Sequence, residues 1–103
     1  MSEVDCQLVR WVNDEPFPGL VEARLVDASG ETWSFIDKCV IFTSENLSST
    51  SAFPIVGAIR CTIRDGSLDD DRSTVVVDTS RPDDVESAEG TYQFRVRSEF
   101  VRE

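Results

Sequence analysis

The chain has 103 residues, with twenty acidic side chains against ten basic ones, a formal net charge of −10, and no histidine. The missing imidazole excludes Ser-His-Asp and Cys-His catalysis, histidine-ligated zinc and the usual general base near neutral pH. The negative field repels nucleic acid and anionic membrane and attracts basic partners.

This length fits one domain, residues 1–103. No apolar run approaches the roughly 20 residues that span a bilayer. The N-terminus, MSEVDCQL, has neither the basic segment nor the apolar stretch of a signal peptide. Cys6, Cys39 and Cys61 lie inside apolar stretches and are odd in number, which reads as buried thiols in a reducing compartment. A cytoplasmic location is the expectation.

In chain order, Val4, Cys6 and Leu8 alternate with Asp5 and Gln7, the period of a half-buried strand. The pattern slips at Val9 and Trp11, which suggests a bulge; without one, Trp11 faces outward. Two prolines and a glycine make Asn13–Gly19 a loop and hold Phe17 between Pro16 and Pro18. Val21, Ala23 and Leu25 define a second strand, and Asp27–Gly30 a tight turn with glycine at positive φ. The third strand is predicted over Trp33–Phe42, the densest run of aromatic and β-branched residues. Asp37-Lys38 marks a bend, and Cys39–Phe42 is apolar on both faces.

Thr43–Gly57 reads as a long connection with at most a short turn capped by Thr43 or Ser44, because its serines and threonines compete with a helical backbone. Ile59, Cys61 and Ile63 alternate with Arg60, Thr62 and Arg64 as a fourth strand. Asp65–Arg72 is an acidic turn, and Thr74–Thr79 a fifth strand in a hairpin with the fourth. Ser80–Gly90 is a second acidic loop, with Pro82 suited to the start of a short helical turn. Tyr92, Phe94 and Val96 alternate with Gln93, Arg95 and Arg97 in a last strand extending toward Phe100. The sum is an all-β domain of about six mostly antiparallel strands with at most one or two short helical turns. A small closed or partly open barrel is favoured over a two-sheet sandwich.

No phosphate-cradling glycine loop is present, and the cysteine spacing matches no zinc pattern. Asp69, Asp70 and Asp71 are consecutive and lack the alternating ligands of a calcium loop. No metal, cofactor or catalytic residue is expected. The leading expectation is a non-enzymatic, acidic protein-binding module, such as an intracellular inhibitor of immunity type that docks a basic partner. Its candidate contacts are Phe17 as a rigid aromatic anchor and a shared negative rim of Asp65, Asp69, Asp70, Asp71, Asp83, Asp84, Glu86 and Glu89, provided the two acidic loops meet at one end. One alternative is an anion or nucleic-acid platform of Arg60, Arg64, Arg95 and Arg97, which needs the fourth and sixth strands to be neighbours. That platform lacks exposed interleaved aromatics, and the net charge opposes it. Another is an enzyme working with carboxylates alone.

Overall fold

The organising strand is β1 (Ser2–Asn13), twelve residues long. Its first half pairs with β4 (Ile55–Asp65) and its second half with β2 (Leu20–Val26), all antiparallel. β2 forms a hairpin with β3 (Thr32–Lys38), whereas β4 continues into β5 (Thr74–Asp78) and β6 (Gln93–Arg97). The order across the sheet is β3-β2-β1-β4-β5-β6, and β7 (Val101–Arg102) pairs with β1 at Glu3 and Val4. This computed structural model describes residues 2–65 and 74–103. One seven-stranded antiparallel sheet, curled into a half-barrel, is therefore the architecture, and the two-sheet sandwich does not apply.

The alternating residues do what their period requires. Val4, Cys6, Leu8, Val21, Ala23, Leu25, Ile59, Cys61, Val75, Val77, Phe94 and Val96 all point into the concave side and are buried. The slip after Leu8 is a register shift against β2 between Leu8 and Arg10. It turns Trp11, which packs half-buried against the core instead of facing outward.

Two expectations are corrected. The third strand stops at Lys38, and Cys39–Phe42 forms one helical turn, α1, closed by the Thr43 N–H on the Cys39 carbonyl at 3.2 Å. A continuous apolar run does not distinguish a two-sided strand from a turn. In the turn, the i, i+3 spacing buries Cys39 and Phe42 together and leaves Val40 outside. The last strand likewise ends at Arg97. A 3-10 turn over Ser98–Phe100 then redirects the chain so that β7 can reach β1.

The open side of the half-barrel is bridged. The Ala28 N–H, in the β2–β3 turn, donates to the Arg95 carbonyl of β6, and the Ala88 N–H to the Ser34 carbonyl of β3, both at 2.8 Å. Phe94 of β6 meets Trp33 and Phe35 of β3 edge-on, with centroids 5.2 and 5.5 Å away. The connection after β5 fills the gap. Val85 and Thr79 are fully buried, and the Thr79 hydroxyl donates to the Val85 carbonyl at 2.6 Å.

Candidate protein-binding surfaces

Phe17 stands at the tip of the β1–β2 loop and is 86% exposed. The loop beneath it is tied down. The Trp11 indole lies over Gly19 and donates from Nε1 to Asp14 Oδ1 at 2.8 Å. The Glu15 N–H donates to Asn13 Oδ1, the Gly19 N–H to the Pro16 carbonyl, and the Cys39 N–H to the Gly19 carbonyl. Asp14 and Glu15 are exposed. An aromatic side chain is thus displayed on a fixed support, in a loop that also carries two exposed carboxylates.

Asp65 and Asp83, the described carboxylates at the roots of the two acidic loops, do not lie side by side. Asp65 ends β4 opposite Val76 of β5, and Asp83, Asp84, Glu86 and Glu89 follow the end of β5. Arg60, which holds Asp83, stands five positions before Asp65 on β4, roughly 17 Å along the strand. Asp69, Asp70 and Asp71 lie outside the described residues. Asp83 is engaged by Arg60, whose Nε and Nη2 donate to its two oxygens at 2.9 and 2.6 Å. Burial of Val85 and Ser87 turns Asp84 and Glu86 outward in alternation. Asp84 accepts the Tyr92 hydroxyl at 2.8 Å, and this bond, with burial and the Glu86 charge, pushes the phenol up to about 12.

The arginine platform meets a topological obstacle, since β5 separates β4 from β6. Besides Arg60, Arg95 reaches Asp65 at 3.7 Å and Arg97 pairs with Glu99 at 2.8 Å. Arg64 acts on Asp78, whose carboxyl is held low first by the Ser80 hydroxyl and N–H. Each of these guanidiniums faces a carboxylate on a solvated surface.

Among the described residues the most buried carboxylate is one outside the candidate sites. Glu22 is 7% exposed on the outer side of β2. Arg10 Nε donates to its Oε1 at 2.6 Å, Arg24 Nε to its Oε2 at 3.0 Å, and Ser34 Oγ to Oε2 at 3.2 Å. Burial works against the charge, but the three donors overcome it and the pKa falls. Asp27 behaves alike, its burial outweighed by Ser29, Trp33 and Glu31 donors in the β2–β3 turn. A general acid needs the opposite shift.

The sign of these shifts sets a pH dependence. A folded pKa below the unfolded value gives stability that is present above the unfolded pKa and lost as pH falls through the folded one. Urea titrations are expected to show stability declining below about pH 4. Glu22→Gln is expected to cost about 1 kcal/mol at pH 7, since both arginines are half-exposed, and almost nothing near pH 3.

The three thiols are buried and unbridged. Burial, aided by Asp5, pushes Cys6 up to about 12, and burial, aided by Glu3 and Asp78, pushes Cys61 up to about 11, which makes both poor nucleophiles. Among the described residues no cluster of carboxylates and thiols could hold a metal ion, and no helix is long and apolar enough to cross a membrane. No family model, no curated protein and no solved structure matches this chain.

Proposed function

We propose that this protein is a non-enzymatic binding module whose partner is a basic protein, in its most specific form a cytoplasmic inhibitor that neutralises a basic nuclease. Phe17 carries the reading. A ring left 86% in water on a loop held by four hydrogen bonds has no role in the core, and its backbone has little conformational entropy left to lose on docking. The exposed Asp14 and Glu15 supply attraction from the same loop, and the chain's net −10 supplies steering. Asp84, Glu86 and Glu89 form a second, separate acidic surface at the closing loop.

The test is capture from a lysate of the source organism on immobilised protein at low and moderate salt, with bound material identified by mass spectrometry and assayed for nucleic acid. One basic protein that elutes as salt rises is expected, and Phe17→Ala is expected to weaken its binding about 30-fold, the loss of a roughly 2 kcal/mol anchor. Nucleic acid in the eluate, or an empty eluate at both salts, sinks the proposal.

A further inference from the structure

The outer face of the sheet carries an apolar strip unrelated to Phe17. Val56 of β4 is 74% exposed, and Val40, Val26 and Phe100 are exposed around it. Val56 lines two shallow grooves of about 460 and 470 Å³. The first continues to Val40 and Ala58, and the second to Val9, Val26, Phe100 and Gln7. The strip is therefore a ridge with a groove on either side. Gln7 pairs across the ladders with both Val56 and Arg24, which puts it beside the ridge. Asn13 lies six positions along β1 from Gln7, so the Phe17 loop begins roughly 20 Å away.

Charge decides what fits there. The charged residues lining the two grooves are Arg24, Arg60 and Arg102 against Glu3 and Asp5, three positive minus two negative, or +1. They are already neutralised in place. Arg102 bonds both Glu3 and Asp5, Arg24 bonds Glu22 and Arg60 bonds Asp83. In a chain of net −10 this face does not attract a basic partner. It is also where a like-charged body meets least repulsion. A ridge beside a groove is self-complementary about a two-fold axis, because each Val56 can enter the other copy's groove between Val26 and Phe100. The Gln7 side-chain amide, which bonds to nothing among the described residues, carries both a donor and an acceptor and can pair with its own symmetry mate.

We propose that this face is a homodimer interface, in which the Val56 ridge of each copy seats in the Val26–Phe100 groove of the other. The salt dependence follows from the charges. Added salt screens the repulsion between two −10 bodies while the apolar contact persists, so dimerisation strengthens with ionic strength. Docking of a basic partner at Phe17 weakens instead.

Sedimentation velocity over a concentration series reaching roughly 500 µM, at ~50 mM and ~500 mM NaCl, tests it. The expected result is a monomer–dimer equilibrium whose Kd falls several-fold at the higher salt. Val56→Asp is expected to raise that Kd at least 30-fold and Phe17→Ala to leave it unchanged. Val56 is largely in water already, so the variant should melt like the wild type, and circular dichroism checks that. A monomer at every concentration and both salts, a dimer indifferent to Val56→Asp, or a dimer that weakens with salt overturns the proposal. So does a monomeric wild type that loses capture of a different protein on Val56→Asp, which would assign the face to that other chain.

Discussion

Gly19→Ala is expected to lower stability by about 3–5 kcal/mol and the melting temperature by roughly 20 °C. Two independent costs combine. Gly19 sits at φ +125°, a conformation that L side chains rarely adopt and that costs roughly 1–3 kcal/mol. A Cβ there would stand 2.2 Å from Trp11 Cη2 and Cζ2, so the indole must leave its seat, an overpacking cost of similar size. Displacing the indole also breaks the Trp11–Asp14 hydrogen bond and releases the support under Phe17. Thermal unfolding measures the loss, and a red shift of tryptophan emission reports the displaced ring. A double-mutant cycle separates the two costs. With Trp11→Ala the clash is gone, and Gly19→Ala should then cost only the backbone strain. An undiminished penalty in that background would mean that the indole does not rest on Gly19.

Much of this fold is legible locally. Strict alternation at Val4–Leu8, Val21–Leu25 and Phe94–Val96 identifies the buried face of each strand, because the pleat sends successive side chains to opposite sides. The β2–β3 hairpin is legible from Asp27 and Gly30. The aspartate carboxylate accepts the Ser29 and Glu31 N–H groups, and Gly30 takes φ +89°. What is not legible is non-local. Nothing within Ile55–Asp65 says that it returns to the far side of β1 instead of extending the sheet beyond β3. Cys39–Phe42 lacks any polar position that would show its period.

The surfaces divide in the same way. Phe17 is legible because two flanking prolines leave it no ladder to join. Burial of Glu22 is not, since one of its arginines, Arg10, comes from another strand twelve positions away. The outer strip is hidden for a different reason. Valine is the ordinary residue of a strand, so Val26 and Val56 stand out only once the sheet shows which face is wet. The separation of Asp65 from Asp83 is not legible either, because it rests on Arg60, five positions before Asp65 on β4, holding Asp83 of a later loop. The described surface presents an aromatic tip, a small acidic loop and a near-neutral apolar face.

Phe94→Ala is expected to cost about 3–5 kcal/mol, and its more telling effect is on where the molecule opens. Phe94 is buried at the seam and is the ring that both Trp33 and Phe35 touch. Each edge-on contact adds about 0.5–1.5 kcal/mol beyond the area buried. Across that seam the described residues show just two backbone hydrogen bonds joining the sheet's ends, Ala28 to Arg95 and Ala88 to Ser34. Side-chain packing therefore does most of the closing there, whereas β1 and β4 are held by a ladder of seven registered pairs. In Phe94→Ala the amides of Ala28 and Ala88 should exchange through a local opening well below the global unfolding free energy, while those of the β1–β4 ladder still require global unfolding. Phe94→Leu keeps most of the volume, loses the ring contacts and should fall between, at about 1–2 kcal/mol. Hydrogen exchange followed residue by residue decides it. If the Ala28 and Ala88 amides stay coupled to global unfolding in Phe94→Ala, the half-barrel is closed by its packed loop, through Val85 and Thr79, and not by the aromatic cluster.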